Sequence, residues 1–103
     1  MAIWQKKLKL CKINNVEWRI HIVSPLYYKL KQNNNYAIGA CDTYNKDIYI
    51  SNNLSKQEFE KVLYHEITHA ALDSYNIKLD NEEKEIISNL TFEIKNIIKK
   101  IGN

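Results

Sequence analysis

At 103 residues the chain is sized for one domain with a single modest core, and residues 1–103 are read as that one domain. Hydrophobic residues at 45% and charged residues at 26% sit near globular averages, which excludes wholesale disorder. The net charge of +3 is mixed along the sequence, so nucleic acid is not an expected partner, and no segment approaches the length of a membrane span.

Met1-Ala2-Ile3-Trp4 runs into lysines without the apolar core of a signal peptide, so a cytoplasmic location is expected. Lys6, Lys7, Lys9 and Lys12 alternate with Leu8 and Leu10 and read as the wet face of a strand; Trp4 and Trp18 read as core or hairpin residues. Asn14-Asn15 offers a turn tolerant of positive φ. Val16, Trp18, Ile20 and Ile22 then alternate with Glu17, Arg19 and His21, completing a β-hairpin with one buried face. Ser24-Pro25 closes it. A short helix is placed over 26–31, and 32–35 is a polar loop.

A second hairpin runs from Tyr36 to Asp42, turns at Asn45-Lys46 and returns over Asp47 to Ser51. Gly39 inside a strand predicts a bulge or the close approach of another backbone. Cys11 and Cys41 lack metal-ligand or redox spacing and read as reduced thiols of two strands. Ser55 with Glu58 forms a capping box, so the first helix should run from Lys56 to about Ser74. Asp80 with Glu83 signals a second helix carrying Ile87, Leu90, Ile94, Ile97 and Ile101 on one stripe. The fold class is therefore α+β: a small, mostly antiparallel sheet of two hairpins followed by two packed helices.

His65-Glu66-Ile67-Thr68-His69 is the segment with chemistry. Residues four apart share a helical face, so the two imidazoles converge on one metal ion, and Glu66 stands beside it as a general base for a bound water. Two histidines, an open position and a carboxylate base suit Zn2+ and metal-assisted hydrolysis. A third ligand is needed. Asp73 continues the i, i+4 series, but eight helical residues from His65 put it roughly 12 Å away along the axis, too far for one ion. His21 alternates with the apolar positions of its strand and is expected at solvent or the cleft mouth. Glu83 stands four residues before Ile87 and seven before Leu90, so it is expected at the start of the inward face of the second helix, as the metal ligand; its competing use is the cap with Asp80. Glu82 is the second choice, and Glu85 falls on the wet side. Tyr44, Tyr49, Tyr75 and His21 are candidate donors to an oxyanion, with nothing in sequence selecting one.

With that motif and the downstream Glu83, the chain resembles the zincin metallopeptidases, in particular the compact ImmA/IrrE-like proteins of phages and mobile elements. The resemblance spans about Gly39 to Leu90 and is sharpest at Leu63-Tyr64-His65-Glu66-Ile67-Thr68-His69-Ala70. It implies a minimal zincin-like fold, zinc held by His65, His69 and Glu83, Glu66 as general base, and hydrolysis of a peptide bond in a protein or peptide substrate, a regulatory protein among the family's usual ones. It also implies that Asp47 to Ser51 border the cleft and pair with an extended peptide. Tyr75 stands where the longer metzincin motif needs its third His. The alternative is a zinc-bearing binding or inhibitor module of a phage or mobile element without proteolytic activity.

Overall fold

A computed structural model describes residues 5–102, with the side chains of residues 5–7 left out; Trp4 and the side chains of Lys6 and Lys7 lie outside the described residues. Strands β1 (Gln5–Ile13), β2 (Val16–Val23), β3 (Lys31–Gln32), β4 (Asn35–Tyr36), β5 (Gly39–Asp42) and β6 (Asp47–Ser51) precede helices α1 (Lys56–Ser74) and α2 (Asn81–Gly102). The protein is α+β, with two hairpins followed by two packed helices, as expected. No helix among the described residues is long and apolar enough to cross a membrane.

The turns form where the sequence supplies residues that tolerate positive φ. Asn14 and Asn15, at φ 50° and 65°, join β1 to β2, and Lys46 at 62° ends the turn between β5 and β6. Asn33 at 58° folds the segment expected as a plain loop into the miniature hairpin β3–β4. The helix placed over 26–31 is a single 3-10 turn, Tyr28–Leu30, which plants Leu30 in the core.

The main sheet has the order β1-β2-β6-β5. Both hairpins are antiparallel, and they meet through a parallel pair, β2 with β6, in register from Arg19↔Asp47 to Val23↔Ser51. That inner position buries all five residues of β6. On β2 the alternation holds, with Trp18 and Ile20 buried and Glu17 and Arg19 exposed. On β1, Leu8 and Leu10 lie opposite His21 and Arg19 on the outer face and are exposed, whereas Cys11 and Ile13 reach the core. The strand's buried face is therefore the one opposite the two leucines.

One helical face closes the core. Val62, Glu66 and Ala70, four apart on α1, are buried with Trp18, Ile20, Ile48 and Ile50 nearby in the same cluster or beside it. The Ser55–Glu58 capping box fixes where α1 starts, with both reciprocal hydrogen bonds formed at 3.1 and 3.2 Å. At the far end, Trp18 Nε1 donates to Ser74 Oγ at 2.7 Å and Asn14 Nδ2 to the Ser74 carbonyl at 3.0 Å, tying the first hairpin to the helix terminus. Trp18 is fully buried, and truncating such a residue costs roughly 3–5 kcal/mol.

Candidate metal centre

A carboxylate in the middle of the inward face of α1 is costly unless it has a task. Glu66 is buried against β5, the exposed edge of the sheet, at a point where position 39 has no side chain. A Cβ on Gly39 would meet Val62 Cγ1 at 2.6 Å and Glu66 Oε2 at 2.9 Å. The close approach expected at Gly39 is thus by the side chains of α1, not by another backbone. Burial first, then the charge of Glu85, pushes the Glu66 carboxyl up to about 7.

One residue before Glu66 and three after it, the two imidazoles turn toward each other. His65 Nε2 and His69 Nε2 are 3.2 Å apart, and Glu85 Oε2, from the first turns of α2, lies 3.1 Å from the former and 4.0 Å from the latter. Ligand atoms about 2 Å from one tetrahedral ion are separated by roughly 3.3 Å, and the three observed distances bracket that value. Two imidazole nitrogens and a carboxylate oxygen within one such triangle are a donor set that fits a divalent cation. Burial, then repulsion from His65 and Lys84, lowers the pKa of His69 and favours the neutral ring that a metal binds. Ser88, buried on α2, sets its Oγ 3.3 Å from His65 Nδ1, leaving Nε2 to face the donor set.

Glu83, expected as the third ligand, is elsewhere. Its carboxylate accepts from the Asp80 backbone N–H at 3.0 Å while its own N–H donates to Asp80 Oδ1 at 2.8 Å, so the capping use prevails. Glu82 is exposed in the same first turn and is not part of the donor group. Glu85, two residues beyond Glu83, is the carboxylate beside the two histidines, because α2 faces α1 with a different side from the one its isoleucine stripe marks. Ser88 is its only buried residue among those described, while Leu90, Ile94, Ile97 and Ile101 are exposed. Apolarity therefore pointed to the wrong face.

His21 is neither at the cleft mouth nor a ligand: it bonds Asp47 Oδ1 at 2.8 Å and stacks on Tyr49 at 4.7 Å. Asp47 also accepts two hydrogen bonds from Arg19, at 2.6 and 3.1 Å, which holds its carboxyl below the usual range. Asp73 accepts from Lys46 Nζ at 2.7 Å. Of the tyrosines weighed as oxyanion donors, Tyr44 is fully out on a turn, Tyr49 is buried in β6 and Tyr75 lines an apolar groove away from Glu66.

The cleft runs along α1 beside β5. A cavity of about 440 Å³ is bounded by Ile38, Gly39, Val62, His65 and Glu66, and a second of about 310 Å³ shares Gly39, His65 and Glu66 and adds Gln32, Cys41 and His69. Gln32, on the small hairpin, brings a neutral amide donor that no local sequence signal singles out. The strand bordering this cleft is β5; Asp47 to Ser51, expected in that role, form β6, which is paired on both sides. Cys41 is a free thiol pushed up to about 12 by burial, and Cys11 is free too. Protonated thiols of this kind are poor nucleophiles.

A protein-family model described as IrrE N-terminal-like domain, a peptidase family, matches residues 21–95, well over half of the chain. No curated protein and no solved structure matches it. The matched span contains His65, Glu66, His69 and Glu85 together with β5, β6 and α1.

Proposed function

This chain belongs to the IrrE N-terminal-like domain family of peptidases, and we propose that it is a zinc-dependent metallopeptidase that hydrolyses a peptide bond in a protein or peptide. The observation that carries the reading is the triangle of His65, His69 and Glu85 donor atoms next to a buried Glu66. The ligand set proposed is His65, His69 and Glu85, with Glu83 kept for the helix cap. When bound there, zinc supplies Lewis acidity to the scissile carbonyl and lowers the pKa of the attacking water.

The chain's own residues do the rest. Glu66 takes the proton of the attacking water on its carboxylate and returns it to the leaving amine, and a carboxyl whose burial keeps it basic is suited to both halves of that task. Gly39 lets β5 lie close against that carboxylate, and the free edge of β5 is the surface on which an extended substrate aligns. Glu66 disfavours a purely structural or binding site, since such a site has no use for a buried base.

Glu66→Gln is the decisive variant. It should abolish cleavage of a peptide library while zinc, measured by elemental analysis, stays at one per chain. Full turnover in that variant overturns the mechanism, and loss of zinc assigns Glu66 to the ligand set instead.

A further inference from the structure

α2 meets α1 along one side. Glu85 and Ser88 reach His65, Phe92 sets its ring edge-on to Tyr64 at 5.5 Å between centroids, and Lys95 lies over both rings. The opposite side is the apolar one. Ile86, Leu90, Ile94, Ile97, Ile98 and Ile101 are between 46% and 80% exposed. A contiguous apolar surface of this kind on a helix marks an interaction site. It continues into an apolar groove of about 350 Å³ between the helices, bounded by Tyr64, Ile67, Ala71 and Ile87.

We propose that this stripe is a self-association surface, on which α2 of a second copy of the chain packs antiparallel. Two observations identify the occupant. Positions 87, 90, 94, 97 and 101 are spaced alternately by three and four, the seam of a two-helix coil, with β-branched Ile87, Ile94 and Ile101 on one set and Leu90 and Ile97 on the other. Glu93 and Lys100 each stand immediately before a seam residue of that first set, at equivalent flanking positions one heptad apart, both exposed and neither in an ion pair among the described residues.

Their placement selects the direction. In an antiparallel pair, equivalent flanking positions face each other, so Glu93 meets Lys100 of the second copy and Lys100 meets its Glu93. In a parallel pair Glu93 would instead face the apolar Ile98. The antiparallel pair is two-fold symmetric, with each contact made twice, as self-complementary interfaces require. Its overlap runs over the C-terminal part of α2. Glu85 lies near the other end of the helix, so the metal centre stays uncovered.

Sedimentation equilibrium of the full chain from about 1 to 200 µM tests this. A dimer is expected, and Ile94→Lys with Ile97→Lys should make it monomeric at unchanged helical circular dichroism, because both side chains are exposed in the isolated fold. Glu93→Lys should weaken the dimer about tenfold, and adding Lys100→Glu should restore it. A monomeric wild type would give the stripe to a different partner and overturn the proposal. So would a dimer indifferent to the seam change, or a double charge swap no tighter than the single one. None of these outcomes depends on peptidase activity.

Discussion

Gly39 and Glu66 are fitted to each other: a methyl group at position 39 would lie 2.9 Å from Glu66 Oε2, inside the contact distance that real carbon atoms keep. The edge of the sheet and the general base of the proposed reaction thus share one small volume. Gly39→Ala should displace the carboxylate and press on Val62, whose branched Cγ1 would be 2.6 Å away. Overpacking of this type costs about 1–3 kcal/mol. Turnover should fall further than stability suggests, by roughly a hundredfold, since misplacing a base by about 1 Å has that effect. Urea unfolding and peptide hydrolysis measured on the same protein separate the two losses.

Glu83 and Glu85 differ in a way that two variants expose. Glu85→Gln should weaken zinc binding by at least about a hundredfold, as loss of a ligand requires. Glu83→Ala should leave zinc affinity unchanged and cost about 1 kcal/mol through the lost helix cap. Competitive chelator titration beside thermal unfolding gives both numbers. Exchanged effects would return Glu83 to the metal.

In the proposed zinc site, Ser88 is a positioning residue that acts through His65. With its Oγ 3.3 Å from His65 Nδ1, it fixes the ring's orientation. Ser88→Ala should lower zinc affinity about tenfold with little change in fold, while Ser88→Thr, which keeps the hydroxyl, should recover part of the loss.

Asp47 makes stability depend on pH. Hydrogen bonds from Arg19, then from His21, lower its pKa in the folded protein. A carboxylate whose folded pKa lies below the ordinary value near 3.9 contributes stability that is complete above that value and is lost as pH falls through the folded one. Asp47→Asn should therefore cost about 1–2 kcal/mol at pH 6, and the gap to wild type should shrink as pH is lowered towards about 2. Urea midpoints at four pH values check the trend; a gap that widens in acid would refute it.

How much of this was legible in the sequence depended on how local each signal is. The Ser55–Glu58 box, the paired asparagines at 14 and 15 and the i, i+4 histidines each act within one turn, and the structure places all three elements where those residues indicate. The parallel pairing of β2 with β6 joins residues nearly thirty positions apart and leaves no local trace. Glu83 lies in the helix cap and away from the two histidines for a sharper reason. The rule that an apolar stripe faces inward presumes that the core lies within the chain, whereas the stripe of α2 points out and the side that meets α1 carries Glu85, Ser88 and Lys95. A cue was present in Ser88, a small polar residue seven positions before a basic one on the same helical side, but it is too common a pattern to choose a face.

The first hairpin carries a consequence for any attempt to trim the molecule to its family-matched portion. Residue 21 falls inside β2, so a chain begun there would discard Trp18 together with its anchor on Ser74 and two of the five residue pairs of the parallel seam to β6. Ile48 would lose its facing residue Ile20, and the middle of the sheet would become a raw margin able to recruit strands from neighbouring molecules. Asn14 and Trp18, both ahead of the match, are a bulwark for the site, holding the far terminus of the histidine-bearing helix in position.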